Sequence, residues 1–416
     1  MKEKENLKIL LLSPPTNLKR TPIPPIGLCY LKAYLLKHGF LNTKVLDMTV
    51  NTYDYAKKIL LEIKPDIVGI GAVTEMRHRA LKLAEIAKSV DKEVKIVLGG
   101  PHATPMCHQI IENYAYVDFI CLREAEVTFL ELAEAISNNG DFSKVKGIVY
   151  RDKGQVITTP PREFISDLDS LPFPNYDGLD MSLYRNYNKT INSGKEIQGG
   201  INSSRSCPYS CFFCTAKDFW GNKWRVRSPK NVVDEVQYLY EKYNIKSFNF
   251  TDDNFMVDTN RVVNICREIV KRDLKIKWFS HTRVDNISAE ALKAMKKAGC
   301  ELLGFGVDSG SEKVLKAMNK RITIDQVISA FAMTKEAGLA TQLNIIVGHP
   351  GEDNNTFKET KKLLSIIKPD LLLASLIKVY PGTPLYELAK KQNICDDDFW
   401  LTQKPCPYYT KDFSLS

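Results

Sequence analysis

The sequence predicts an α/β protein in two parallel-sheet halves, a doubly wound parallel sheet followed by a partial (β/α)6 barrel of the TIM type. Three observations predict it. Short apolar runs alternate with helical periodicity over the first 140 residues, the alternation resumes at about residue 196, and a proline-rich stretch separates the two. Apolar runs buried on both faces, spaced by amphipathic helices, read as parallel strands joined by crossover helices. At 416 residues the chain also exceeds one ordinary core, which agrees with two domains.

In the first half, strands are expected at 8–13, 44–47, 67–72, 95–99 and 119–122, with helices at 27–37, 52–63, 77–89, 110–114 and 126–137. Five such units make a flavodoxin- or Rossmann-like domain, taken as residues 1–140, whose ligands sit beyond the carboxyl ends of the strands. The loops at 14–27, 73–78, 100–105 and 123–126 are therefore the ones to inspect. Residues 141–195 read as a small hairpin, 147–150 with 156–158, and then a linker carrying Pro160, Pro161, Pro172 and Pro174. From 196 to 386, strands are expected at 196–203, 247–251, 277–282, 301–306, 340–347 and 371–378. Six units fall short of the eight of a closed barrel, so the barrel should be open. Residues 387–416 form a short C-terminal extension.

Composition narrows the setting. With 44% hydrophobic and 26% charged residues the chain has a soluble, globular make-up. No apolar run approaches the roughly 20 residues of a membrane span, and the first residues lack a signal peptide's pattern. A cytoplasmic, reducing location is expected, in which the ten cysteines read as metal ligands or buried side chains rather than disulfides. The net charge of +9 is spread without a basic block, which argues against a nucleic-acid partner.

Seven cysteines are scattered, but Cys207, Cys211 and Cys214 stand in eight residues after the first strand of the second half. Three thiolates at this spacing can hold three corners of a 4Fe–4S cube and leave one iron open. A closed zinc site would need a fourth ligand, and the nearest histidine is His281. This C-x3-C-x2-C after the first barrel strand resembles the radical S-adenosylmethionine (SAM) superfamily. The resemblance implies that the open iron chelates the methionine moiety of SAM and that the cluster's electron generates a deoxyadenosyl radical. An external one-electron donor of flavodoxin or ferredoxin type is then implied. Phe213, before the third cysteine, matches the aromatic that packs near the adenine. Asp252, Asp253 and Asn254 end the second strand, where the family recognises the methionine amine, and polar side chains suit an ammonium group. Arg283, after the third strand, can pair with a carboxylate. Asp308 and Ser309 in Gly304–Gly310 resemble G-x-E-S-G with Asp for Glu, and Gly348–Glu352 resembles the G-x-P-G-E turn that passes the adenine.

Pro14-Pro15, Pro24–Leu28 and the run Gly99, Gly100, Pro101, His102, Ala103, Thr104 together resemble the cobalamin-binding subgroup of that superfamily. Glycines there let backbone approach a bulky ligand, and Thr104 adds a hydroxyl. Glu124 lies in Arg123-Glu-Ala-Glu126, where the family often shows G-E-G-E. None of the six histidines has Asp two before and Gly three after, so a histidine ligand to cobalt is not expected. The resemblance places Thr74, Glu75, Met76 and Arg77, after strand three, against the lower face of cobalt.

The function so implied is a cobalamin-dependent radical SAM methyltransferase that carries methyl from SAM through methylcobalamin to an unactivated carbon. Alternatives are an oxidative cyclase of tetrapyrrole synthesis, a methylthiotransferase acting on transfer RNA, and a non-catalytic cobalamin or iron–sulfur carrier. No catalytic acid or base is identifiable and the substrate is not specified. The short extension suggests an open mouth and a large substrate such as a protein segment, lipid or tetrapyrrole.

Overall fold

A computed structural model describes residues 3–16, 23–185 and 196–409. The parts of the first loop, the linker and the C-terminal extension at 17–22, 186–195 and 410–416 lie outside the described residues. The chain separates into two compact units.

The first unit comprises Met1–Ser166, Ser170–Met181 and Asp397–Pro405. Its strands are β1 (Ile9–Ser13), β2 (Thr43–Asp47), β3 (Ile67–Gly71), β4 (Lys95–Gly99), β5 (Phe119–Cys121), β6 (Ile148–Asp152) and β7 (Gln155–Thr158), in sheet order β2-β1-β3-β4-β5-β6-β7. The first five are parallel, in the order of a flavodoxin-like sheet with its switch point between β1 and β3. Leu10, Leu11, Leu12, Val68, Ile70, Ile96 and Leu98 are buried along the central strands, as strands covered on both faces require. The hairpin expected to lead into the linker instead extends this sheet, because β6 pairs antiparallel with β5. The first unit therefore continues to Ser166 rather than ending near residue 140.

The C-terminal extension also departs from expectation, since Asp397–Pro405 belongs to the first unit. Trp400 anchors it, buried with its ring 5.0 Å from the Arg77 guanidinium and 5.8 Å from the His102 ring. A cation over an aromatic face and an edge-to-face ring contact add to the burial of a large apolar surface.

The second unit comprises Asp167–Asp169, Ser182–Asp396 and Cys406–Ser416. It holds β8 (Gln198–Ile201), the short antiparallel pair β9 (Ser204–Arg205) and β10 (Arg225–Val226), then β11 (Ser247–Phe250), β12 (Lys277–Thr282), β13 (Cys300–Asp308), β14 (Ala340–Val347) and β15 (Leu371–Leu376). Six of these form one parallel sheet in the order β15-β14-β13-β12-β11-β8. Sequential order in a parallel sheet is the signature of an open βα barrel. Its helices start where the sequence supplies caps. Ser228 accepts from Asn231 N ahead of Pro229, Thr323 and Gln326 close a capping box, and so do Asp353 and Thr356. Trp278, fully buried, donates to Ala298 O at 2.8 Å and packs against Phe250 and Phe255.

Candidate functional site

The cysteine loop leaves β9 through Ser206, a non-glycine residue at φ 74° whose hydroxyl donates to Gly221 O at 2.6 Å. Such a conformation costs on the order of 1–3 kcal/mol and persists only where the surroundings hold it. The surroundings do hold it. Phe212 N donates to Met318 O, Leu385 N to Phe212 O, and Asn319 Nδ2 to Ser210 O, so two distant segments fix the loop.

Cys207 and Cys211 are half-buried and Cys214 is exposed. The thiols lie close enough to perturb one another. Burial raises Cys207, and Asp253 and Cys211 add to the rise; the Cys214 thiol, desolvated although the residue as a whole is exposed, is pushed up to about 12, with Asp253, Cys211 and Cys207 adding to the rise. Among the described residues no three His, Cys, Asp or Glu side chains gather around a single ion. Three neighbouring cysteines on one pinned loop fit a multi-iron cluster, which takes them as thiolates. Arg283 adds a fixed positive charge, with Nη1 4.0 Å from Cys211 Sγ.

Of the expected SAM-binding residues, Phe213 lies on this loop and Arg283 and Asp253 stand beside its cysteines, while the others hold the strand ends around it. Arg283 closes its fork on Asp285 (2.9 and 2.8 Å), donates to Lys320 O at 2.7 Å and stacks 3.7 Å over the Tyr209 ring. Its paired donors are thus already engaged within the protein. Asp252 is buried, accepts from the Ser203 and Ser204 hydroxyls and lies near Arg261; it joins the ends of β8 and β11. Asn254 accepts from the Thr282 hydroxyl at 2.8 Å and ties β11 to β12. Asp253 alone of the three carries its charge toward the cysteines, and burial followed by Asp252 raises it to about 6. Asp308 ends β13 at a bulge, at φ 73°, and forms a buried ion pair with Lys320. Ser309, also buried, receives Ser311 N.

Sequence reasoning did not single out Asp285, Tyr209, Lys320 or His349. Tyr209 and Lys320 reach the site by stacking or by a contact distant in sequence, which no local pattern announces, and Asp285 reaches it as the near neighbour on which the Arg283 fork closes. His349 lay inside a quoted motif. Its ring is 5.6 Å from that of Phe213, and Gly348 N and His349 N both donate to Glu352 Oε2. Gly348 takes φ 94°, where a Cβ would stand 3.1 Å from Tyr409 O.

In the first unit, the loops after β1, β3, β4 and β5 carry Pro15, Thr74 to Arg77, Gly99 to Thr104, and Glu124. Gly100 has φ 100°, and a Cβ there would stand 2.8 Å from Ala72 O; only glycine lets these two loops meet so closely. Thr104 donates to Gly100 O at 3.1 Å and accepts from Arg123 N at 3.0 Å, linking the β4 and β5 loops. Arg123, standing where the family often has glycine, adopts the left-handed φ of 59° all the same. Pro15 O accepts from Arg79, and Glu124 accepts from Ile165 N. Arg77 is fully buried and donates to Thr74 O, Thr402 O and Lys404 O, so it braces the loop from behind. His102 is buried beside Trp400, and burial followed by Arg77 lowers it to about 3. Pro101 and the buried Ala103 continue the small-residue run. A rim of close-approaching backbone with Glu75 exposed and Met76 half-buried beside it fits a flat, bulky macrocycle such as cobalamin.

Comparison with known proteins decides the family. The Radical SAM superfamily matches residues 201–364, and the B12 binding domain family matches residues 20–133. An uncharacterized methyltransferase of Pyrococcus horikoshii is 33% identical over 395 residues, covering 93% of this chain and 84% of the relative. The chain belongs to the cobalamin-binding branch of the radical SAM superfamily. The anaerobic magnesium-protoporphyrin IX monomethyl ester cyclase of Rubrivivax gelatinosus is 31% identical, over 90% of this chain and 68% of its own. The fold is that of the radical SAM methyltransferase TsrM from Kitasatospora setae, with a TM-score of 0.79, 21% identity, and coverage of 92% of this chain and 76% of that one. As a radical SAM protein with a B12 binding domain it is an enzyme whose cofactors are a 4Fe–4S cluster, SAM and cobalamin. Among the described residues no helix is long and apolar enough to cross a membrane.

Proposed function

We propose that the enzyme transfers a methyl group from SAM, by way of cobalamin, to an unactivated carbon of its substrate, with electrons from an external one-electron donor of flavodoxin or ferredoxin type. The observation that carries this reading is the pinned loop bearing Cys207, Cys211 and Cys214, with Arg283 Nη1 4.0 Å from Cys211 Sγ, in a chain that also matches the B12 binding domain family. When bound, the reduced cluster supplies the electron that cleaves SAM to a hydrogen-abstracting radical, and cobalamin supplies the methyl carrier. Cys207, Cys211 and Cys214 hold the cluster. Arg283, clamped by Asp285 and Tyr209, keeps a positive charge beside Cys211. Asp253 offers a carboxylate to the SAM amine, while Asp252 and Asn254 set the strand ends that aim it. Phe213 and Gly348 line the passage of the adenosine, and Asp308 and Ser309 meet the ribose side. In the first unit Pro15, Thr74, Glu75, Met76, Gly99 to Thr104 and Glu124 form the cobalamin rim, braced by Arg77.

The test is product analysis with methyl-deuterated SAM, reductant and a lysate of the source. Methyl transfer predicts S-adenosylhomocysteine and deoxyadenosine in equal amounts and label on a carbon of the product. Deoxyadenosine without matching S-adenosylhomocysteine would favour a non-methylating reaction of the cyclase kind, the activity named for the Rubrivivax relative.

A further inference from the structure

His349 is fully buried, and neither of its ring nitrogens has a hydrogen-bond partner among the described residues. A buried polar atom without a partner is costly, and this imidazole leaves two. The main chain that carries the ring is fixed, since the backbone N–H groups of Gly348 and His349 both donate to Glu352 Oε2. It stands against Phe213, which immediately precedes Cys214, and within electrostatic reach of Asp308 and Lys320. Its place is therefore between the cysteine loop and the end of β13. Burial, the largest influence on it, lowers its basicity to a pKa of about 4 and keeps it uncharged. A neutral imidazole offers one donor and one acceptor. That pair suits the uncharged heteroatoms of a nucleoside rather than the ammonium and carboxylate of an amino acid.

We propose that the His349 side chain hydrogen-bonds the adenosine moiety of SAM, donating from one ring nitrogen and accepting at the other. This rests on the proposed reading of the site as a SAM site. The residue sets affinity and the orientation of the nucleoside; it takes no part in bond breaking.

The experiment is calorimetric titration of the reconstituted holoenzyme with S-adenosylhomocysteine and, separately, with methionine, alongside thermal unfolding. His349→Phe, which fills the space without polar atoms, should weaken S-adenosylhomocysteine about tenfold or more. It should leave methionine affinity unchanged and the melting temperature equal or higher. His349→Asn, with a donor and an acceptor, should stay within about threefold of the parent. Equal S-adenosylhomocysteine binding by His349→Phe, or an equal loss for methionine, would overturn the inference while the SAM site itself stood. A parent enzyme that bound methionine but not S-adenosylhomocysteine would also overturn it. A parent that bound neither would instead remove the reading of the site on which it rests.

Discussion

Lys320 and Asp308 form an ion pair whose side chains are only 7% and 6% exposed, and Lys320 also feels the charge of Cys211. Burial alone would lower the lysine, yet the Asp308 carboxylate and then Cys211 outweigh it and hold its pKa above the usual value. Removing one member of such a pair leaves an uncompensated charge in a poorly solvated place. Lys320→Met should therefore destabilise the second unit by about 3–5 kcal/mol, whereas Lys320→Met with Asp308→Leu should recover most of that loss. Urea unfolding followed by tryptophan fluorescence reads this, since Trp220, Trp224 and Trp278 belong to that unit. A single variant within about 1 kcal/mol of the parent would contradict the buried pairing.

Arg283 presents a planar fork to Asp285 and a flat face to Tyr209. Lysine keeps the charge but neither the paired donors nor the stacking plane, a loss of about 1.5–3 kcal/mol of local interaction. Arg283→Lys should hold less than half the parent's iron after anaerobic desalting, measured by iron analysis and visible absorbance. Full retention of iron would show that the guanidinium geometry does not support the cysteine loop.

His102 makes the first unit sensitive to acid. Its folded pKa of about 3, lowered by burial and then by Arg77, lies below the unfolded value of about 6.5. Between these values the unfolded chain binds a proton that the folded chain refuses, so stability is complete above pH 6.5 and falls as the pH drops toward 3. The first unit should lose about 2 kcal/mol between pH 6.5 and 5 from this group, and His102→Gln should flatten the slope correspondingly. Denaturation followed at Trp400, in ring contact with His102, measures it. An unchanged slope in the variant would assign the acid sensitivity elsewhere.

The strands were legible because their signal is local. β4, β12 and β14 fall on the expected residues, 95–99, 277–282 and 340–347, and the other central strands shift by only a few positions. The cysteine triplet was legible for the same reason, its spacing being part of one loop. The pairing of β5 with β6 was not, since a hairpin's apolar pattern does not name the strand it will join. Nor was the membership of Asp397–Pro405 in the first unit, which rests on Trp400 meeting residues some 300 positions away in Arg77 and His102. At the site, Arg283 read as a free carboxylate clasp, and Asp285, two residues on, is the partner that its fork closes on. Arg123 in a left-handed conformation likewise shows a loop shape kept without the glycine that would make it easy.

The central claim is that Cys207, Cys211 and Cys214 carry a cluster that cleaves SAM reductively. Its most direct test compares the anaerobically reconstituted parent with the Cys207→Ala, Cys211→Ala, Cys214→Ala triple variant, counting iron and deoxyadenosine formed from SAM under dithionite. The parent should hold about four irons per chain, absorb near 400 nm through thiolate-to-iron bands and release deoxyadenosine. The triple variant should hold almost no iron and release none. Deoxyadenosine from the triple variant at the parent's level would contradict the account.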